Sequence, residues 1–294
     1  MSDIQKIAFK TNEQWRHERA KSVGASAIGT ILGYNRHSTA AQLAEKMKAE
    51  LRGEFDYTQT LAMMRGHAYE GGVAQIFERL TGYKIIQASS VEYLVRRTDT
   101  PFLHASPDRI YWIDFAGPQH GPLAETNKGV LECKTTRHSV KPNAIPPSWI
   151  LQLQAQMGLT GYHSGHLAWD VLSKTEGFGY AAFTFDPRLF FAIVDVCREF
   201  WHRSVIGNEP PRGRYYLAGQ HPILYSDSWK QPQHVEFCTA ATVIRNEPHI
   251  GIPLPTYEYT VDDADDDQEQ EQKKPAADNI SFFERLWQHI TSKE

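Results

Sequence analysis

The chain has 294 residues, of which 41% are hydrophobic, enough for one large packed domain with appendages. No apolar run approaches the roughly 18 residues of a membrane-spanning helix, and residues 1–6 lack the apolar core of a signal peptide. We therefore expect a cytoplasmic protein without a membrane partner. No disulfide framework, zinc site or iron–sulfur cluster is expected from three widely spaced cysteines, Cys133, Cys197 and Cys238.

The formal net charge of −4 is distributed unevenly along the chain. Residues 262–271 carry seven acidic residues and no basic ones, so the rest of the chain has a formal net charge of +3. A mildly basic body can present a positively charged groove without an extreme isoelectric point. The acidic average therefore does not exclude a nucleic-acid substrate.

In chain order, residues 11–51 have the pattern of two helices. Thr11 or Asn12 is the predicted N-cap of the first, and Ser26 is predicted to cap the second after a break at 23–25. The next helix covers 62–81 and ends near Gly82. The later elements are predicted as three strands, a helix capped by Ser148, two strands and a helix, at about 84–95, 102–113, 129–136, 149–161, 165–172, 178–185 and 187–206.

This order of elements predicts an α/β fold with a mixed central sheet flanked by helices. We expect residues 1–211 to form the catalytic domain and residues 212–261 a C-terminal extension of unknown role. Residues 262–278 have the composition of a disordered acidic linker. Residues 279–294 have the apolar stripe of an amphipathic helix, which docks on its own domain or a sister subunit, or alternatively on another protein.

Two carboxylates and a lysine fall on neighbouring predicted strands. Ser106-Pro107-Asp108 is assigned to one strand and Leu131-Glu132-Cys133-Lys134-Thr135 to another. Because side chains alternate along a strand, Glu132 and Lys134 project to one side and Cys133 to the other. Carboxylates bind Mg²⁺, and a nearby lysine can orient or deprotonate a water. A solvated ion pair is the alternative, but the apolar residues around both positions indicate central strands, where charges need a partner or a metal.

Five sequence blocks, in this order, resemble those of the lambda-exonuclease and YqaJ-type viral recombinase family, in the PD-(D/E)xK nuclease group. The resemblance covers roughly residues 14–206 and implies a restriction-endonuclease-like core. The blocks are Trp15-x-x-x-Arg19 with Gly24-Ala25-Ser26, Gly66-His67-Ala68-Tyr69-Glu70, Ser106-Pro107-Asp108, Leu131-Glu132-Cys133-Lys134 and Leu151-Gln152-Leu153-Gln154.

The resemblance implies a metal centre of oxygen ligands. Asp108, Glu132 and the carbonyl of Cys133 would ligate Mg²⁺, for which Mn²⁺ could substitute. Glu70 would serve a second ion or its waters, so that one or two ions bind. A solvated helical glutamate is the alternative for Glu70.

Further roles follow from the same resemblance. Lys134 would position or activate the attacking water, a role that suits an amine whose pKa falls when it is desolvated; the alternative is a simple ion pair with Glu132. Gln152 would hold Lys134. Gln154 lies about 200° further round the helix and is assigned to the DNA-binding surface.

An anion pocket is implied at the other blocks. Arg19, Ser26 and Ser106 correspond to family positions that hold the 5′-phosphate of a DNA end. A serine at a helix N-terminus offers a hydroxyl and free amides to an anion, and an arginine adds a charged fork. The alternative for Ser26 is capping alone.

One position departs from the family pattern. The family commonly has glycine after Ser-Pro-Asp, whereas this chain has Arg109. Strand alternation predicts that the Arg109 side chain points away from the metal. A local backbone that needs glycine-like angles would instead displace Asp108.

Taken together, the resemblance implies a Mg²⁺-dependent 5′-to-3′ exonuclease for double-stranded DNA. It would release 5′-mononucleotides and leave 3′ single-stranded tails for phage-type recombination by strand annealing. A homotrimer on linear DNA with 5′-phosphate ends, a single-strand annealing protein as partner, and a phage or prophage origin in a bacterial host are also implied. Two alternatives are a restriction- or repair-type endonuclease on the same fold and a non-catalytic DNA-end-binding scaffold.

Overall fold

The computed structural model describes residues 3–56, 58–86, 93–112, 128–141, 144–172 and 177–239. The predicted linker at 262–278 and the predicted helix at 279–294 lie outside the described residues, as does the extension from residue 240 onward. Within the described part of the chain, no helix is both long and apolar enough to cross a membrane.

The helices and strands alternate along the chain. The helices are α1 Asn12–Ala20, α2 Ile28–Ile31, α3 Ala40–Leu51, α4 Leu61–Thr81, α5 Pro147–Thr160, α6 Pro187–Glu199 and α7 Arg214–Gln220, with a π-helical turn Phe200–Ile206 and 3₁₀ turns Ala25–Ala27 and Pro222–Tyr225. The strands are β1 Ile4–Ala8, β2 Val23–Gly24, β3 Lys84–Ile86, β4 Tyr93–Arg97, β5 Leu103–Ala105, β6 Arg109–Trp112, β7 Lys128–Thr136, β8 Ser164–Val171, β9 Gly177–Thr184 and β10 His234–Thr239.

These strands form two mixed sheets. The larger has the order β10-β9-β8-β7-β6-β3, in which β7 and β8 run parallel and the other neighbours run antiparallel. The smaller has the order β1-β4-β5-β2, in which β2 and β5 run parallel. The chain passes from the smaller sheet to the larger one between β5 and β6, at Ser106-Pro107-Asp108.

Helices cover the larger sheet. On one face, α4 packs Val73 and Phe77 against Leu131 and Cys133 of β7. Helix α5 also contacts β7 and β8, and its fully buried Leu153 belongs to the main core, which α6 shares. Because the apolar side chains of β7 are covered by helices, a charge on this strand must be neutralised by a nearby group. The predicted fold class, a mixed sheet flanked by helices, is confirmed.

Local cap chemistry fixes most helix ends. Thr11 accepts a hydrogen bond from the Gln14 amide, as predicted for an N-cap, and Thr60 caps α4 in the same way. Gly82 ends α4 with a φ of 73°, a left-handed conformation that costs glycine nothing. The predicted end of this helix is confirmed.

Two predicted capping residues were wrong. Ser26 lies inside the 3₁₀ turn Ala25–Ala27, where Gly24 is the N-cap and makes no side-chain capping bond. Helix α5 begins at Pro147, one residue before Ser148, and its N-cap is Pro146. Proline suits the first helical position because its fixed φ matches the helix and its missing N–H would have no helical partner there.

The packed body continues past residue 211, where the sequence analysis ends the catalytic domain. Strand β10 pairs with β9 along its whole length, and Leu217, Leu224 and Trp229 are buried in the main core. The compact unit that contains the sheets runs from Met1 to Pro248. Buried apolar side chains in α7 and the following turn explain this continuation, since they need the core to cover them.

Candidate active site

Strand β7 presents two charged side chains on the same side of the larger sheet. Glu132 is 1% exposed, and the Lys134 ammonium donates to its Oε1 at 2.5 Å. Leu131 and Cys133 turn to the opposite face and pack in the cluster beneath α4. The predicted alternation along this strand is thus observed, and it leaves an ion pair inside the protein rather than on a solvated edge.

Asp108 reaches this centre from a connecting segment, not from a strand as the sequence analysis assigned it. Ser106-Pro107-Asp108 links β5 of one sheet to β6 of the other. The Cys133 amide donates to Asp108 Oδ2 at 2.8 Å, which ties the link to β7. Proline lacks the N–H that a sheet ladder needs, which suits a link better than a central strand.

Three donors hold the Glu132 carboxylate. Besides Lys134, the Gln152 amide nitrogen donates to Oε1 at 2.6 Å, and Gln156 donates to Oε2 at 2.6 Å. Gln152 also accepts from the Lys134 ammonium at 3.0 Å. The predicted contact between Gln152 and Lys134 is therefore present. The buried carboxylate is fixed by both of its oxygens, which limits its rotation.

The sequence analysis missed Gln156 and misplaced Gln154. Gln156 is fully buried and lies four residues after Gln152, so both face Glu132 on one side of α5. That spacing was the available sign of its role. Gln154 is 2% exposed and points elsewhere, donating to the Thr184 carbonyl and accepting from the Asp186 amide, each at 2.9 Å. Its predicted place on a DNA-binding surface does not agree with this burial.

Neighbouring charges set the protonation of the centre. Burial, followed by the charges of Glu132 and Glu70, raises the pKa of Asp108 well above its usual range. Burial alone would lower the pKa of Lys134, but Glu132 and Asp108 outweigh it and raise that pKa above its usual value. The prediction of a lysine with a lowered pKa was wrong for this arrangement. Lys134 is an ammonium that donates hydrogen bonds.

Arg109 lies on the α4 face of the larger sheet, opposite Glu132 and Lys134, as strand alternation predicts, because it pairs with Leu131 of β7. Its Nη1 donates to Glu70 Oε1 and to the Asp108 carbonyl, each at 2.5 Å. The two side chains of the ion pair are 12% and 15% exposed. Arg109 is the first residue of β6, directly after the link, and Glu70 of α4 lies on the same face of the sheet. Glu70 faces the centre, as the motif predicted, but its carboxylate is paired with Arg109.

The chemistry of the donors fits one hard cation. Among the described residues, no three His, Cys, Asp or Glu side chains lie close enough together to hold a metal ion as placed. Asp108 and Glu132 do lie close enough to raise the Asp108 pKa, a repulsion that a cation would relieve. Two carboxylates with the Cys133 carbonyl and waters make the kind of oxygen shell that Mg²⁺ accepts.

A second polar region surrounds Gly24, close to the predicted anion pocket. A methyl group at Gly24 would lie 3.2 Å from His104 Nε2 and 3.7 Å from Arg19 Nη2, so both side chains face this glycine. Arg19 also stacks on Trp15, with its guanidinium carbon 4.4 Å from the ring centroid. Ser106 follows His104 by two residues, and its buried hydroxyl has no hydrogen-bond partner within the described ranges.

His104 is a member of this region that the sequence analysis missed. The Ser22 hydroxyl lies 2.8 Å from His104 Nδ1 and accepts from Arg96 at 3.1 Å. A serine hydroxyl oxygen can accept two hydrogen bonds, so the bond from Arg96 is compatible with either tautomer of His104. Burial, then the charges of Arg19 and Arg96, holds the pKa of His104 well below its usual range. His104 is thus a neutral imidazole, with one of its ring nitrogens protonated. Ser26, two residues after Gly24, is exposed.

Comparisons with known proteins agree with this description. A family model of the YqaJ-like viral recombinase domain matches residues 14–163. The uncharacterized protein YqaJ of Bacillus subtilis (strain 168) is 27% identical over 214 residues, which are 71% of this chain and 61% of that protein. This chain thus spans less than two thirds of the length of that relative.

Two solved structures share the fold. Both are of LHK-Exo, an alkaline exonuclease from Laribacter hongkongensis, one of them in complex with dAMP. Each is 16% identical and covers 72% of this chain and 99% of its own, with TM-scores of 0.51 and 0.50. This likeness shows that the chain shares the fold of these exonuclease structures.

Proposed function

We propose, because this chain belongs to the YqaJ-like viral recombinase family, that it is a metal-dependent deoxyribonuclease that resects double-stranded DNA from its 5′ ends. The resemblance drawn from five sequence blocks is confirmed at the level of the family. The products proposed are 5′-mononucleotides and 3′ single-stranded tails, which recombination by strand annealing can use.

The observation that carries this proposal is the meeting of Asp108, Glu132 and Lys134 at one point, where Glu132 is buried and Asp108 and Lys134 are half-buried. Asp108 accepts a hydrogen bond from the backbone of β7. Glu132 accepts hydrogen bonds from Lys134, Gln152 and Gln156. A non-catalytic scaffold would gain nothing from a buried carboxylate pair, which costs stability unless a cation compensates it. The arrangement is therefore better suited to hydrolysis than to binding alone.

The chemistry divides between the cation and the chain. When bound, Mg²⁺ or Mn²⁺ supplies Lewis-acid polarisation of a phosphodiester and of water. Asp108, Glu132 and the Cys133 carbonyl would hold it. The Lys134 ammonium, which donates hydrogen bonds to Glu132 and Gln152, would orient water or stabilise charge developing on phosphate oxygens. Gln152 keeps the ammonium in place.

The region around Gly24 supports the proposed polarity. Arg19 and the neutral imidazole of His104 face one point, and the Ser106 hydroxyl is available nearby in sequence. Such donors suit a terminal 5′-phosphate, because a charged fork and neutral N–H or O–H groups all donate to its oxygens. A grip on that phosphate would restrict cleavage to the 5′ end.

The assembly and setting of the enzyme are proposed from the family alone. We propose a homotrimer on linear duplex DNA, a single-strand annealing protein as partner, and a phage or prophage gene expressed in a bacterial cytoplasm.

The test uses linear duplex DNA carrying either a 5′-phosphate or a 5′-hydroxyl, with Mg²⁺, Mn²⁺ or EDTA. Wild type should digest the 5′-phosphate substrate about 10- to 100-fold faster in kcat/KM, the effect of about one charge-assisted hydrogen bond worth roughly 1.5–3 kcal/mol. In Arg19→Leu this ratio should fall towards one. In the matched variant Arg52→Leu, which loses an exposed ion pair with Glu54, the ratio should stay unchanged.

Each alternative has its own outcome in this experiment. Cleavage of covalently closed circular DNA at a similar rate would indicate an endonuclease. Tight binding of DNA ends without any metal-dependent hydrolysis would indicate a scaffold. Equal rates on both linear substrates would refute the 5′-phosphate pocket but leave the nuclease intact.

A further inference from the structure

The ion pair between Arg109 and Glu70 adds a fixed positive charge to the proposed metal centre. The guanidinium Nη1 lies 2.5 Å from Glu70 Oε1 and from the Asp108 carbonyl oxygen. Both paired side chains are largely buried, so water screens their interaction little. Arginine keeps its charge at any pH at which the protein is folded.

The charges of the centre nearly balance with one divalent cation. Three carboxylates, Asp108, Glu132 and Glu70, face two side-chain cations, Lys134 and Arg109. The sum is −1 when all are ionised, and one divalent ion changes it to +1. A second ion would raise it to +3 in a buried site, where repulsion between like charges is strong. Without Arg109 the sum would be −2, so that two divalent ions would leave a charge of +2 instead of +3.

The contacts lead to the same result. Glu70 is the carboxylate that a second ion would need, and its Oε1 already accepts from Arg109. Glu70 can therefore contribute to a cation only if the ion pair with Arg109 breaks.

We infer that Arg109 restricts the centre to a single divalent cation by holding Glu70 and supplying positive charge in place of a second ion. Arg109 is a positioning residue, because it contacts Glu70 and the Asp108 backbone and acts on the cation through them. This inference rests on the proposed metal-dependent nuclease function.

Calorimetric titration of the full-length chain with Mn²⁺, without DNA, counts the ions directly. The seven acids at 262–271 can also bind Mn²⁺ weakly, so the double variant Asp108→Asn/Glu132→Gln provides the background to subtract. After subtraction, wild type should bind one ion per chain. Arg109→Gly and Arg109→Gln, which remove the charge, should bind two.

A double variant identifies the ligand of the additional ion. Arg109→Gly/Glu70→Gln should return to one ion, because the freed Glu70 carboxylate holds the second one. Arg109→Lys keeps the positive charge and should remain at one ion. Circular dichroism establishes that each variant is folded before it is counted.

Each result has a separate meaning. Two ions on wild type overturn the inference, even if no Arg109 variant folds, and leave the nuclease proposal in place. One ion on both wild type and folded Arg109→Gly also overturns it. No site-specific binding to any of these proteins overturns the proposed metal dependence itself, and the inference with it.

Discussion

Gln156 provides a sharp test of the centre, because its substitution should affect activity far more than stability. Its amide nitrogen donates to Glu132 at 2.6 Å, while its Oε1 has no hydrogen-bond partner within the described ranges. In Gln156→Leu, the lost bond to a charged group costs about 1.5–3 kcal/mol, and removal of the unsatisfied oxygen returns about 1–3 kcal/mol. The free energy of unfolding should therefore change little. Loss of a donor that orients a metal-binding carboxylate should lower kcat/KM by about 10- to 100-fold.

Gln154 is the matched control for this substitution. It lies on the same helix and is equally buried, but its amide bonds the Thr184 carbonyl and the Asp186 amide. Gln154→Leu leaves two backbone groups without partners, a loss of about 2–4 kcal/mol. The Tm should fall by about 4–16 °C, at 2–4 °C per kcal/mol for a domain of this size. The folded protein should retain wild-type nuclease activity.

The assay combines thermal unfolding with initial rates of nucleotide release from linear duplex DNA at several Mg²⁺ concentrations. Gln156→Leu should need more Mg²⁺ for half-maximal activity, whereas Gln154→Leu should not. A folded Gln156→Leu protein with activity within twofold of wild type would refute the role assigned to this contact. Equal losses of activity in the two variants would do the same.

Three further predictions concern protonation and packing. Asp108→Asn should raise the Tm of the cation-free protein, because burial and Glu132 hold the pKa of Asp108 well above its usual range. In thermal melts, the difference in Tm between the variant and wild type should increase as pH rises above about 4. A difference in Tm that does not change with pH contradicts this. Wild type should lose Tm as pH falls below about 6.5, because burial and nearby cations hold the pKa of His104 below its value in the unfolded chain. In His104→Gln this decrease in Tm should be smaller. An identical dependence of Tm on pH in the two proteins contradicts the prediction. Gly129→Ala places a methyl group 2.2 Å from the Tyr111 hydroxyl, so the free energy of unfolding measured by chemical denaturation should fall by about 1–3 kcal/mol. An unchanged denaturation midpoint would show that Tyr111 can move away without a loss of stability.

Local patterns were sufficient for part of the centre. Glu132 and Lys134 share a side because strand alternation is a property of the backbone, and the helix end at Gly82 follows from glycine's access to positive φ. Gln152 and Gln156 share a side because they are four residues apart on α5.

The remaining features depend on contacts between residues that are distant in the chain. Arg109 pairs with Glu70, 39 residues earlier, and strand alternation alone does not identify that partner. Lys134 has a raised pKa because Glu132 and Asp108 outweigh burial, a balance that depends on the folded positions of all three. Helical spacing places Gln154 on a different face from Gln152, but it does not show that Gln154 is buried and bonds to the Thr184 carbonyl and the Asp186 amide.

The central claim is that Asp108, Glu132 and Lys134 form a catalytic centre for DNA hydrolysis. The most direct test is the rate of Mg²⁺-dependent nucleotide release from linear duplex DNA by Lys134→Ala, measured beside wild type and beside Gln154→Leu. The account predicts a loss of at least about 10²- to 10³-fold for Lys134→Ala, the usual cost of removing one preorganised donor from a reacting centre, with little loss for Gln154→Leu. A folded Lys134→Ala protein that cleaves DNA at the wild-type rate would contradict it.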